Sequence, residues 1–175
     1  IRHIGASNMW TWQFANCIRI CNELDLQILE TMQTHYNLCY REEEREMIPF
    51  CKDNRVSLFS YNPVAKGFLT GKYSRNSKND SVRLETDPAL KAKFFRSEDF
   101  DVLEKVVEIA NEKDVKPAQI ALVWLTEKDV TCPIIGVTKI AHVDEAVESL
   151  DIKLTDDDIK RLEEPYQVQN VNHLD

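Results

Sequence analysis

Glycine is scarce in this 175-residue chain. Gly5, Gly67, Gly71 and Gly136 are all it has, against a usual share of roughly 7%. Each is therefore expected where the backbone must come close to something, and all four are expected just after strands. No stretch approaches the roughly 20 apolar residues of a membrane-spanning helix, and no basic stretch followed by an apolar one opens the sequence. No stripe of Lys and Arg is present, and the formal net charge is −8. Nucleic acid and membrane are thereby poor candidates as partners. Five cysteines make an odd number. With no His or Cys pair at zinc-finger spacing after Cys17 and Cys21, reduced thiols, no metal and a cytoplasmic location are expected. Two nucleotide signatures are missing as well. No Gly-x-Gly-x-x-Gly follows the first strand, and Gly71-Lys72-Tyr73 fails the Walker pattern at its last position.

What is present is a globular composition, 43% hydrophobic and 30% charged, arranged as alternating apolar runs and amphipathic stretches. Strands are expected at residues 2–5, 26–33, 56–61 and 133–135. Helices are expected over 11–24 with Thr11 as cap, and over 41–53 with a kink at Pro49. Others should start at Ser97 as cap and at Pro117, and cover 142–150. Over 155–164, Thr155 and Asp158 form a capping box with Asp in place of Glu. The segment 62–96 is long for a connection and should be functional or mobile. The tail from Pro165 has no readable period. Strand–helix repeated four times, without hairpin signals, implies parallel βαβ units. The absent nucleotide signatures favour a barrel-type arrangement, with ligands held by loops at the C-terminal ends of the strands.

Those ends carry the candidate chemistry. Ser7, Asn8 and Gln33 can each donate and accept hydrogen bonds, which suits an amide-bearing ligand. Tyr61 offers a flat face to a ring. Gly136, Val137, Thr138 and Lys139 open a helix with backbone N–H groups, a hydroxyl and a cation, a set suited to phosphate. A turn, a core tyrosine and a solvated lysine are the plainer alternatives for the same residues.

Several runs together resemble the aldo-keto reductases. They are Gly5-Ala-Ser-Asn8, Gln33-x-x-Tyr36-Asn37-Leu38 with Arg41 and Glu44, and Tyr61-x-Pro63-x-Ala65-x-Gly67-x-Leu69-Thr70-Gly71-Lys72-Tyr73. Pro117-Ala118-Gln119-Ile120-Ala121-Leu122-x-Trp124 and Leu162-Glu163-Glu164-Pro165-Tyr166 continue the match. The run from Tyr40 to Pro49 looks closest to the fungal aryl-alcohol dehydrogenase branch. The resemblance implies strands five to eight, the C-terminal half, of a (β/α)8 TIM barrel. Residues 1–165 would form the partial barrel domain and 166–175 a tail. It also implies NADP(H) as cofactor and reduction of aldehydes or ketones, aryl aldehydes among them. Ser7, Asn8 and Gln33 would then hold the nicotinamide carboxamide, and Tyr61 would stack on its ring. Asn62, Pro63, Val64, Lys66, Gly67, Leu69 and Lys72 would line the pyrophosphate, and Gly136, Thr138, Lys139, His142 and Glu145 would surround the adenosine and its 2′-phosphate.

The chain departs from the family pattern at Asn62 (usually Ser), Val64 (Leu), Ile135 (Pro), Val137 (Ser or Thr), His142 (Arg or Gln) and Ala146 (Asn). These changes fall mostly at the adenosine end. The family's catalytic Asp, Tyr, Lys and His belong to the first half of its barrel, so no catalytic residue is assigned here. Half a barrel of about 300 residues leaves two sheet edges open. Such a chain is expected to be weakly stable, and to self-associate or need the other half. Its function would be that of the cofactor-binding part of a reductase. The alternative is an inactive remnant acting as a nucleotide-binding or interaction module; a third reading is a regulatory subunit of the kind this fold provides to ion channels. Trp10, Trp12 and the loop 74–96 are candidates to shape a substrate pocket.

Overall fold

A computed structural model describes residues 1–75, 90 and 93–171. The loop 74–96 therefore lies mostly outside the described residues, as does the end of the tail. Among the described residues, four strands form one sheet in the order β1-β2-β3-β4, with every neighbouring pair parallel. They are β1 (Ile4–Ser7), β2 (Leu29–His35), β3 (Ser57–Tyr61) and β4 (Cys132–Ile134). Consecutive strands are neighbours, as expected when each returns through a helix crossover.

The helices are α1 (Thr11–Glu23), α2 (Met47–Asp53), α3 (Ser97–Glu112), α4 (Pro117–Thr126), α5 (Ile140–Glu148) and α6 (Asp156–Glu163). Single 3-10 turns add Glu42–Glu44 and Ser149–Asp151, and Ala65–Thr70 is a 3-10 segment broken by a kink at Lys66 and Gly67. Phe100, Leu103, Val106 and Ala110 give α3 its buried face. α4 is buried from Gln119 to Leu125 and packs against α3. The capping box of α6 is present: the Asp158 N–H donates to Thr155 Oγ1 at 3.1 Å and the Thr155 N–H to Asp158 Oδ2 at 2.8 Å.

Other boundaries moved for identifiable reasons. Neither Thr11 nor Ser97 is the cap; each is the first helical residue. The residues before them, Trp10 and Arg96, donate their N–H groups to Gln13 Oε1 and Asp99 Oδ2, both at 3.0 Å. The expected helix over 41–53 splits into the 3-10 turn and α2. Pro49 falls in the first turn of α2, where a missing N–H breaks no helical bond, so it does not kink the helix. The strand expected at 26–33 runs instead over Leu29–His35, because Leu26 pairs its N–H with the Cys21 carbonyl at the end of α1. The expectation that all four glycines follow strands fails at Gly5, which lies inside β1. A Cβ there would sit 1.9 Å from Thr31 Oγ1, so the close approach of β2 is what excludes a side chain.

The core lies on the helix-covered side of the sheet. Met32 and Leu58 pair across β2 and β3 and are buried with Phe14, Cys51, Trp124 and Leu162. Tyr166 reaches back from the tail: its hydroxyl donates to Glu42 Oε1 at 2.6 Å and accepts from the Arg41 N–H at 3.0 Å. The tail up to Gln169 is thus pinned, although its sequence has no period. The five cysteines are free thiols. Among the described residues no cluster could hold a metal ion, and no helix is long and apolar enough to cross a membrane.

Candidate functional site

The C-terminal ends of the strands carry two adjoining groups of side chains. Over β1–β3, Ser7 Oγ lies 3.5 Å from Gln33 Oε1, at the outer limit of a hydrogen bond, and the Asn8 N–H donates to the Gln33 carbonyl at 3.1 Å. The Asn8 side chain hydrogen-bonds the Tyr61 hydroxyl, whose pKa burial nonetheless raises. Gln33 and Phe59 face each other in the β2–β3 register, as do His35 and Tyr61. This parallel pairing brings the three predicted polar residues and Tyr61 to one mouth.

Behind Tyr61 lies a group that the sequence reading did not single out. The His35 ring stacks between Tyr61 (centroids 5.2 Å apart) and Tyr40 (4.4 Å), with Phe94 edge-on. Burial, then Lys93 and Lys66, lower the His35 pKa to about 3, so the ring is neutral. Asn37 Nδ2 donates to the Asn62 carbonyl at 2.9 Å and lies 3.2 Å from His35 Nε2. Asn37 was noted only as part of a motif. Its place two residues after a buried strand end, where an amide can brace the next loop, was the available signal.

The second group lines a cavity of about 600 Å³ between the turn after β3 and the segment after β4. Its wall includes Asn62, Pro63, Val64, Lys66, Gly67 and Lys72 on one side, and Gly136, Thr138, His142 and Glu145 on the other. Of the predicted residues, Leu69 is not on the wall: its side chain is fully buried in the core. Lys139 is exposed and not on the wall either. Ser7, Asn8, Gln33 and Tyr61 stand apart at the neighbouring mouth, and Asn62 links the two groups by following Tyr61 directly. The start of α4 adds a third side, Lys116 to Gln119, of which the sequence marked Pro117 to Gln119 as a helix start and a family run but not as site residues.

The loop geometry at this wall is unusual. Asn62, Ala65, Lys66 and Gly67 all have positive φ, from 49° to 92°. A non-glycine residue in this region costs about 1–2 kcal/mol, and such strain gathers at ligand clamps. It turns the chain sharply out of β3 while Ala65 and Phe68 remain buried beneath. Charge on the wall is mainly positive: Lys66, Lys72 and Lys116 against the single carboxylate of Glu145 among the described lining residues. Hydrogen bonding from Lys116 holds the Glu145 carboxyl below its usual pKa. A separate depression over α6, lined by Arg41, Asp156 and Glu163 among others, offers less. There Arg41 is already paired with Glu44 at 2.8 Å and Glu163 at 2.9 Å.

A parallel α/β repeat with its polar residues gathered at the strand ends is the layout of a (β/α)8 barrel segment. The profile of the Aldo/keto reductase family matches residues 1–167, and the chain belongs to that family. It is 38% identical over 168 residues to the versiconal hemiacetal acetate reductase of Aspergillus parasiticus, covering 94% of this chain and 48% of that protein. A Schizosaccharomyces pombe protein named a putative aryl-alcohol dehydrogenase is 37% identical over 166 residues, covering 95% and 50%. An aldo-keto reductase of Metarhizium robertsii is 36% identical over 174 residues, covering 98% and 46%. The chain spans about half the length of the curated relatives it matches.

Proposed function

We propose that this chain is the cofactor-binding, C-terminal half of an NADP(H)-dependent carbonyl reductase, with β1–β4 as strands five to eight of the barrel. The observation that carries the reading is the cavity after β3 and β4. Its size lies within the usual range for small-molecule sites, its wall is lysine-rich, and its turn is strained.

In this reading Ser7, Asn8 and Gln33 orient a carboxamide and Tyr61 packs on the adjoining ring, with His35 and Tyr40 holding Tyr61 from behind. The backbone from Asn62 to Gly67, with Lys72, takes the pyrophosphate. Gly136, Thr138, His142 and Glu145, with Lys139 beside them, take the adenosine. When bound, the nicotinamide supplies hydride to a carbonyl carbon. The residues of this chain bind the cofactor and fix its orientation, while the proton donor for the carbonyl oxygen belongs to a complementary half. The substrate is a small aldehyde or ketone; relatives named as aryl-alcohol dehydrogenases favour an aryl aldehyde.

The test is complementation. The chain is mixed with the N-terminal half of a family member, and aldehyde-dependent oxidation of NADPH is followed at 340 nm. Activity in the complex and none in either part supports the reading. A folded complex that binds NADPH but never oxidises it favours the binding-module alternative. A folded chain that binds no nucleotide contradicts the reductase reading and leaves only an interaction module.

A further inference from the structure

The Asn37 side chain touches both groups of the site. It is fully buried, two residues after the end of β2. Its backbone is held in a tight turn by paired bonds with Tyr40: the Asn37 N–H donates to the Tyr40 carbonyl at 3.1 Å and the Tyr40 N–H to the Asn37 carbonyl at 2.9 Å. Both ends of the amide meet partners that can play only one role. The Cys39 N–H can only donate, so Oδ1 accepts from it at 2.9 Å. The Asn62 carbonyl can only accept, so Nδ2 donates to it at 2.9 Å. An amide nitrogen carries two hydrogens, and the second meets His35 Nε2 at 3.2 Å. That ring nitrogen is therefore the acceptor, and the neutral His35 ring carries its proton on Nδ1.

Each of the two donated bonds holds a different part of the site. At the mouth, the bond to Nε2 fixes the rotation of a ring stacked 5.2 Å from Tyr61 and 4.4 Å from Tyr40. The buried Nδ1 has no hydrogen-bond partner among the described residues, so no bond on that side shares the task. At the cavity, the Asn62 carbonyl also accepts from the Ala65 N–H at 2.8 Å. It thereby anchors the turn in which Asn62, Ala65, Lys66 and Gly67 all have positive φ. We propose that Asn37 is the positioning residue of this site, a strut that sets the Tyr61 ring and the turn after β3 together. It acts through the His35 ring and the Asn62 carbonyl. Calling it a positioning residue rests on the nucleotide reading above, whereas the coupling is a property of the chain itself.

The test begins with the parent chain. Long-range proton–nitrogen NMR at neutral pH reads the state of each His35 nitrogen. A proton on Nδ1 and none on Nε2 is expected; the opposite tautomer, or a charged ring, overturns the inference. Asn37→Asp then keeps the acceptor for the Cys39 N–H and removes both donated bonds. It should bring a proton to His35 Nε2 and shift the Tyr61 ring signals together with the amides of Asn62 to Gly67. NADPH binding, followed by fluorescence, should weaken by about tenfold, the scale of one net hydrogen bond. Asn37→Ser, short and uncharged, carries the same expectation for the ring and the turn. Phe14→Leu, a core substitution on α1, should lower Tm yet leave these signals in place. A folded Asn37 variant in which either the Tyr61 ring or the turn stays unmoved overturns the inference, as does an equal response to Phe14→Leu. A folded parent chain that binds no NADPH contradicts the nucleotide reading, and the ring and turn signals then still decide the coupling.

Discussion

The middle of the sheet and its two edges are built to different standards. Towards the helices, Met32, Leu58, Tyr36 and Trp124 are essentially sealed from solvent, and even the polar groups are paired: Trp124 Nε1 donates to Glu163 Oε1 at 2.9 Å, and the Tyr36 hydroxyl to Glu44 Oε1 at 2.6 Å. On β1 and β4, by contrast, only partial cover exists; Ile4 and Ile134 are exposed. The flanking helices share this state: Trp12 on α1 is 63% exposed, and Ile140 and Val147 on α5 are 83% and 60% exposed. Apolar residues at sheet edges and on the outer helices stabilise nothing until something covers them. The difference therefore separates what this chain supplies for its own stability from what it offers to a further surface.

The sharpest way to break the comparison is to remove equivalent residues from each region. Trp124→Ala deletes a fully buried indole and leaves Glu163 without one donor, so urea unfolding should show a loss of about 3–5 kcal/mol. Trp12→Ala, at an exposed edge, should cost less than about 0.5 kcal/mol. Equal losses would show that the middle and the edges do not differ as described.

A second effect, smaller and dependent on pH, comes from beneath the strands. Burial pushes the Glu43 carboxyl up to about 7, with Glu42 adding to the rise and a Thr34 hydrogen bond opposing it. The unfolded chain loses that proton near the ordinary value of about 4.5. Glu43 therefore contributes stability below about pH 4.5 that is lost as the pH rises through about 7. Glu43→Gln should raise Tm relative to the parent more at pH 8 than at pH 5. A gain that is flat with pH, or larger at pH 5, would remove this account of Glu43.

The least effect on folding, and the clearest on assembly, is expected at the edge. Val147→Glu should change unfolding by no more than about 0.5 kcal/mol. If the open edges drive self-association, it should also shift sedimentation velocity profiles at high concentration towards monomer. A parent chain that stays monomeric at every concentration would remove edge exposure as a driver of association.

These differences also explain which parts of the molecule could be read from sequence. The central strands β2 and β3 and the amphipathic α3 were legible because their patterns answer to one buried face. The α6 cap was legible because Thr155 and Asp158 act within four residues of each other. The start of α3 was misplaced by one residue because the decisive acceptor, Asp99, lies inside the helix. Gly5 was misread because its constraint comes from Thr31, 26 positions away in the chain. At the site, residues on the turns after β3 and β4 could be named one by one. That Leu69 points into the core, and that Lys116 pairs with Glu145, depends on packing between elements distant in sequence. His35 was missed for the same reason: its neighbours Tyr40, Tyr61 and Phe94 meet only in the folded chain.

The proposed function stands or falls on whether the cavity after β3 and β4, lined by residues of this chain, binds the cofactor. The most direct measurement is an NMR titration of the isotope-labelled chain with NADPH. Saturable shifts are predicted at the backbone amides of Gly67, Lys72, Gly136 and Thr138, with the amides of α6 unmoved. A folded chain in which those four amides stay still at millimolar NADPH would contradict it.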